Sequence, residues 1–410
     1  MMRIMHKSLF ALLLVVFAVP AGAATKFNEI NAVKLVQASA ELSSAELLDI
    51  DLAVFEPGVP NDPDKQIKEN IYPKVREAEA RYIPYVLRAT IERSNLWGAV
   101  RMIPGQNPLS EVVIRGRILS SDGTELEVSV SVHDATGRKW YQRKYRDEAS
   151  KFSYRPDLGI PGDPFQDLYN QIANDLYAYR KKLSQKELIQ IRDIANLRYA
   201  AEISPDAFGQ HLKVDKKGRF SIIRLPSESD PMMARVSRIK ESEYLFIDTV
   251  DQQYGQFFYN MDPSYNSWRR FSYEEVIAEK ELKTSARRRM LAGAATVIGG
   301  AVLSSKSNSA VGNVVGQAVA LGGLAAIKQG YDVGKQAKIH EDALQELAAS
   351  FNAEVEPIVV EVEGEVVKLT GTLDAQYQTW RQLLRQIYAE EVGLPVAQDT
   401  ANELGEAGVN

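Results

Sequence analysis

The 410-residue chain has no cysteine. That absence excludes disulfides, thiolate metal sites, a thiol nucleophile and a lipid-modified N-terminal cysteine. Histidine is almost as scarce. Beyond residue 23 only His133, His211 and His340 occur, and no HExxH or paired spacing sets two of them on one helix face. No metal and no cofactor is expected. The usual catalytic signatures are missing as well: no G-x-S-x-G elbow, no P-loop and no strand-coupled G-x-G-x-x-G. Gly293 and the Gly299-Gly300 pair lie in an apolar segment without a following Lys-Ser or Lys-Thr, so they are not a phosphate loop. The chain also lacks an excess of positive charge. Its formal net charge is −5, and −7 once Arg3 and Lys7 of the leader described next are removed. Nucleic acid is therefore not an expected partner, since it calls for a basic face.

What is present begins with a leader. Arg3 and Lys7 precede an apolar run at 8–19 that is too short to span a bilayer, and Ala21-Gly22-Ala23 fits the small-x-small cleavage rule. The chain is expected to be exported, with a mature end near Ala24. The second conspicuous feature is residues 290–327, which hold one charge, Lys306. Ala292, Thr296, Gly300 and Ser304 recur every four residues, and Gly312, Gly316 and Ala320 do the same after the polar turn at 304–309. Small residues at i, i+4 groove one helix face and let a second helix approach closely. Arg287, Arg288 and Arg289 precede the pair of segments and Lys328 follows it, so both ends favour anionic headgroups. The pattern resembles the glycine-zipper hairpins of bacterial envelope proteins. Spanning takes about 20 apolar residues per helix. The segments offer fourteen (290–303) and eighteen (310–327), with Asn313 and Gln317 inside the latter. Two uses stay open: membrane association, and a soluble hairpin that is buried or self-associates.

The remaining chain reads as a multidomain α+β protein. Residues 24–46 are a linker or docking helix, with Ile30, Val33, Leu35 and Val36 in a short helical pattern. Residues 47–150 form a β-α-β-β-β domain: a strand at 47–55 stopped by Pro57-Gly58, a helical stretch at 65–94 that Pro73 and Pro84 kink or split, and strands at 98–103, 111–119, 125–132 and 139–145. Residues 151–200 hold two helices, the first opened by Asp163-Pro164 as cap and first helical residue. Residues 201–282 read as a second α+β unit with strands at 218–226 and 243–249. Residues 283–337 carry the hairpin. Residues 338–391 make an α-β-β-α unit, with a helix at 340–351. Residues 392–410 form a tail without an apolar period.

The order β-α-β-β-β, with Leu52-Ala53-Val54-Phe55, a helix, and Val112-Val113-Ile114-Arg115-Gly116-Arg117-Ile118 before a hairpin, resembles small α/β domains of bacterial envelope assembly proteins. These are the N-terminal domain of the TolB type and the CsgG/FlgT-like secretion and flagellar accessory modules. The resemblance covers about a quarter of the chain. It implies a protein-interaction module and carries over no functional residue. The chain departs from the secretion-pore relatives in having no lipid-anchor cysteine. The last unit, with Leu369-Thr370-Gly371 closing its hairpin, resembles the BON-type envelope domain.

Two clusters could carry chemistry. Tyr254, Phe257, Phe258, Tyr259, Tyr265, Trp268, Phe271 and Tyr273 lie near Asp248, Asp251, Glu274 and Glu275. Aromatics beside carboxylates suit sugar, and a peptidoglycan-binding protein or cell-wall hydrolase is the alternative they suggest, with those four acids as catalytic candidates. Tyr254, Phe257, Phe258 and Met261 are nevertheless spaced i, i+3, i+4, i+7, the pattern of a core stripe, which is the reading favoured here. The charge-rich run 235–243 reads as a solvated face ahead of a docking face for an acidic partner. The sequence therefore points to a non-enzymatic, exported, periplasmic component associated with the outer membrane. Its expected contacts are other envelope proteins and membrane lipid; self-association and peptidoglycan are the further contacts considered.

Overall fold

Leu126, Val128, Val130 and Val132 are buried, and the residues between them are half-buried. That alternation makes 125–134 a strand with one face on a core. It is the fourth of five strands: β1 (Ile50–Ala53), β2 (Val100–Ile103), β3 (Val112–Ser121), β4 (Glu125–Asp134) and β5 (Lys139–Glu148). Their order in the sheet is β2-β1-β3-β4-β5. β1 runs parallel to both neighbours, and the β3-β4-β5 part is antiparallel. All four residues of β1 are buried, as befits a central parallel strand. This computed structural model describes residues 32–69, 71–104, 109–150, 152–154, 162–227, 229–300, 342, 346, 358–362 and 365–393. Side chains are described in these ranges except at 67, 68, 279, 281–300, 360–362, 365 and 366. The leader, the second zipper segment with Gly312, Gly316 and Ala320, Lys328 and the tail beyond 393 lie outside the described residues, as does the expected helix at 340–351 apart from Asp342 and Glu346, both helical.

Between β1 and β2 the helical stretch is split at Pro73, one of the two prolines expected to kink or split it, into α1 (Pro63–Lys68) and α2 (Pro73–Arg93). Pro73 opens α2, where its missing N–H costs nothing. Pro84 lies inside α2. Lacking an N–H, it leaves the Ala80 carbonyl without its helical donor. The Phe55 N–H donates to that carbonyl instead, at 2.8 Å. The gap in the helix ladder thus ties the end of β1 to α2, which packs on β1, β2 and β3.

α3 (Gln166–Arg180) and α4 (Gln185–Ile203) are the expected helical pair. Ser184 and Glu187 form a full capping box on α4. Its hydrogen bonds and Arg138 hold the Glu187 carboxyl down at about 2. Asp163-Pro164 precedes the cap of α3, which is Phe165; the Asp163 side chain accepts from the Phe165 N–H at 2.9 Å and so makes a turn, not a cap. A short helix α5 (Pro205–Phe208) leads to a small ribbon, β6 (Leu212–Val214) with β7 (Phe220–Ile222), the latter shorter than the strand expected at 218–226. A second ribbon, β8 (Ile358–Val362) with β9 (Glu365–Leu369), and the amphipathic α7 (Leu373–Glu391) match the expected hairpin and closing helix.

The largest departure from expectation is at 231–300. Residues 243–249 are not a strand; they belong to α6 (Pro231–Gly300), a helix of 70 residues. β-branched and aromatic content suggested extension, but the burial pattern is helical. Val236, Ile239, Glu243, Phe246, Val250, Tyr254, Phe257, Met261, Tyr265, Trp268 and Ser272 are all buried. The stripe advances from residue 236 to 272 in ten steps, 3.6 residues per step, so it stays on one side of a straight helix. The fold is therefore α+β and built in several parts. From Val33 onward these pack as one unit, because α6 meets β2, α2, α4 and α7 in turn. The segment 32–38, part of the stretch read as a linker or docking helix, is not helical but extended, with Val33 and Leu35 half-buried and Lys34 and Val36 exposed.

Gly116 in β3 faces the ring of buried Phe55, and a Cβ there would overlap it. Gly116→Ala is expected to destabilise the protein by about 1–3 kcal/mol. The readout is a lower urea midpoint at unchanged m-value; an unchanged midpoint would show that the ring has room to move.

Candidate functional site

The acids considered for catalysis are spread along α6. From Asp248 to Glu274 is 26 residues, about 39 Å at the helical rise. Glycoside hydrolysis needs two carboxyls about 5–9.5 Å apart, so these two pairs cannot work together. Glu274 and Glu275 are exposed. Asp248 and Asp251 share one face of the helix and both are engaged. Asp248 accepts from Arg101 Nε at 2.6 Å. Asp251 pairs with Arg88 at 2.8 Å and accepts from the Met102 N–H at 3.0 Å. Arg88 Nε in turn donates to the Val100 carbonyl at 3.1 Å. Together Arg88 and Asp251 satisfy the outward N–H and C=O on either side of Arg101, as another strand would. They close the open edge of β2.

The aromatic cluster is core. Tyr254, Phe257, Tyr265 and Trp268 are buried, and Phe258 stacks between Tyr82 and Tyr85 of α2 at 4.7 Å from each. Only Tyr259 among the described side chains of this cluster is strongly exposed, at 68%. The run 235–243 divides between two roles. Arg235 and Arg238 reach Glu391 of α7 at 3.7 and 3.5 Å, partly exposed. Glu243 is fully buried.

Glu243 is the residue the sequence reading passed over. Its carboxylate accepts from the hydroxyls of Tyr199 on α4 and Tyr377 on α7, each at 2.7 Å, and pairs with Arg381 Nε at 3.0 Å. Arg381 also reaches Glu202 of α4 at 2.8 Å. Three helices thus meet on one carboxylate. Burial pushes Glu243 above its ordinary value by more than Arg381 and the two tyrosines draw it down. The signal available in the sequence was an acidic residue on an apolar stripe, between Ile239 and Phe246. A second such point lies farther along α6. Tyr265 and Ser121 donate to Glu79 at 2.7 and 2.6 Å, and Arg269 pairs with Asp163 at 2.8 Å while lying over the Tyr265 ring.

These groups tie α6 to α4, α7 and α2. Tyr199, Tyr377 and Arg381 meet the Glu243 carboxylate, whereas on Glu79 both hydroxyls share Oε1 and Oε2 faces Arg76 Nε at 3.4 Å. Among the described residues no cluster of three or more His, Asp or Glu could hold a metal ion. The arrangement fixes the position of α6 along its axis. Ser272 is the last buried residue of α6 among those with described side chains. The helical backbone continues through Arg287, Arg288, Arg289, Ala292 and Thr296 to Gly300, about 42 Å farther. Among the described residues no helix is long and apolar enough to cross a membrane.

Glu243→Gln keeps the shape and removes the charge. The unfolded carboxyl titrates near 4.5, and burial raises the folded value. The folded state therefore binds the proton to higher pH, so the contribution of Glu243 to stability is fully present below 4.5 and is lost as pH rises through the folded value. The variant has no such loss. Its thermal midpoint is expected to gain on that of the wild type as pH is raised from 4.5; a difference that is constant, or that moves the other way, would show that Glu243 ionises in the fold as readily as in water.

Comparison of the chain with protein-family models, with curated proteins and with solved structures finds no match.

Proposed function

We propose that this protein is a non-enzymatic, exported component of a bacterial-type cell envelope. In this reading its folded part carries α6 as a rod that presents a glycine-zipper hairpin to a membrane. The observation that carries the reading is the continuity of α6. One helix runs from the core position Val236 to Gly300, inside the first zipper segment, without a break in the backbone. A helix locked at its root transmits position to its far end, whereas a flexible linker would not. Arg287, Arg288 and Arg289 sit where the rod would meet anionic headgroups. Ala292, Thr296, Gly300, Gly312, Gly316 and Ala320 supply the small faces for close helix contact, within one hairpin or between copies. The β-sheet part binds other envelope proteins. The engaged state of Asp248 and Asp251 supports a structural role for the acids of α6.

The test is flotation of the mature chain with vesicles of phosphatidylcholine and phosphatidylglycerol. The wild-type protein is expected to float with the anionic vesicles. Replacing Arg287, Arg288 and Arg289 by Glu is expected to cut the bound fraction at least tenfold, roughly 1 kcal/mol per basic residue being at stake. Gly312→Leu with Gly316→Leu is expected to abolish vesicle binding, or the oligomers seen by light scattering. A wild-type chain that stays monomeric and never floats would sink the proposal.

A further inference from the structure

The extended segment at 33–38 is held in an unusual way. Asn174 of α3 donates from its side-chain nitrogen to the Lys34 carbonyl at 2.9 Å, and its side-chain oxygen accepts from the Val36 N–H at 2.8 Å. One carboxamide therefore satisfies the groups on either side of Leu35, as the peptide unit of a neighbouring strand would. One turn earlier Asn170 donates to the Val33 carbonyl at 2.7 Å. Gln166, one turn earlier again, donates to both Asn170 and Thr90, the latter on α2 and buried. Three amides at four-residue spacing thus form a ladder along one face of α3. The segment is completed at the end of α2, where Gln37 donates to the Arg93 carbonyl at 3.1 Å and the Ala38 N–H to the Ser94 carbonyl at 2.9 Å. Leu35 and Ala38 pack against the core.

Five bonds in this set involve the backbone of the segment or of α2, and none needs a particular side chain at Lys34 or Val36. Both of those side chains are exposed. This is recognition mainly of main chain, with one side-chain donor, Gln37, and apolar selection at Leu35 and Ala38. The next three residues differ. Ser39, Ala40 and Glu41 are exposed, lie in a bend and the loop after it, and take part in none of the described hydrogen bonds. They are a hinge between the strap and Leu42.

We propose that the cleft between the amide ladder of α3 and the end of α2 is a binding site for an extended peptide, that the chain's own strap at 33–38 is its ligand in cis, and that the ligand it takes in trans is the same strap of a second copy. A second copy is the fitting occupant because its strap brings the same Val33, Leu35 and Ala38, and because the hinge at 39–41 lets the strap leave without disturbing β1. The cis strap competes at an effective concentration on the order of millimolar, so trans binding shows only when the cis strap is weakened.

The full chain carrying Val36→Pro and Ala38→Pro frees the cleft, since each proline removes an N–H that the cleft binds. A fluorescent peptide of residues 32–42 is the probe, followed by anisotropy. It is expected to bind this variant saturably and at least tenfold more tightly than it binds the wild-type chain. Adding Asn174→Ala is expected to abolish the binding, and a peptide of scrambled order is expected not to bind. The proposal is overturned if the peptide ignores the proline variant while its circular dichroism and thermal midpoint remain those of a folded protein, if Asn174→Ala makes no difference, or if the scrambled peptide binds equally. Should the proline variant fail to fold, hydrogen exchange on the wild-type chain decides. The Val36 and Ala38 amides are expected to exchange at least a hundredfold faster than those of Ile50 and Leu52, as an independently opening strap requires; equal protection would overturn the proposal.

Discussion

Everything in the described part of the molecule depends on one constraint, the 3.6-residue repeat of buried positions along α6. A repeat of 3.5 would have wound the stripe slowly around a straight helix and called for a supercoiled partner. At 3.6 it remains on one side over 37 residues, from Val236 to Ser272. That side can therefore meet unrelated neighbours in succession. α4 and α7 close on it near Glu243, β2 near Asp248 and Asp251, α2 near Phe258 and Tyr265, and the turn before β4 near Ser272, whose hydroxyl donates to the Asp122 carbonyl at 2.8 Å.

An apolar stripe alone would leave the axial position of the helix poorly specified. Sliding it by one turn, about 5.4 Å, sets large side chains against large side chains again. The charged residues on the stripe remove that degeneracy. After such a slip Glu243 would leave Tyr199, Tyr377 and Arg381, and Arg269 would leave Asp163. Each buried charge left without its partner costs several kcal/mol, far more than the packing difference between registers. The buried ions contribute little net stability compared with apolar residues of the same shape, but they select one register. If α6 carries a hairpin toward a membrane, this selection sets how far from the folded part the hairpin begins.

Periodicity made much of the sheet legible. β3, β4 and β5 were readable because Val128, Val130 and Val132 alternate with polar residues and because Asp122-Gly123 and Gly137 mark turns; both glycines have positive φ. The helical pair at 166–203 was equally plain. The misreadings occurred where a local signal and a long-range one competed. Tyr244, Leu245, Phe246 and Ile247 look strand-forming in a short window, and only the stripe extending to Trp268 shows the helix. Val33, Leu35 and Val36 look weakly helical, and nothing nearby in sequence announces Asn170 and Asn174, about 140 residues away, which hold them extended. The sites of interest were the least legible for the same reason. Glu243 lay in a charge run that reads as surface, and its partners Tyr199, Tyr377 and Arg381 are brought to it only by tertiary packing.

The two places where side chains imitate a strand share one physical logic. Arg101 in β2 has its flanking Val100 carbonyl and Met102 N–H satisfied by Arg88 and Asp251. Leu35 has its flanking Lys34 carbonyl and Val36 N–H satisfied by Asn174. In each case an extended segment finds its ladder partners on a helix. The first case closes an edge that would otherwise pair with another chain, and it uses an ion pair, which is 18% and 12% exposed and is held from both sides by α2 and α6. The second uses neutral amides on a single helix, against a segment whose outward side chains are in water. Neutral amides cost less to expose than a buried ion pair does to break. The β2 edge is therefore sealed for as long as α6 stays in place, whereas the strap is held by bonds that water can replace. Of the two strand mimics, only the strap's can be vacated and filled again without unfolding the protein.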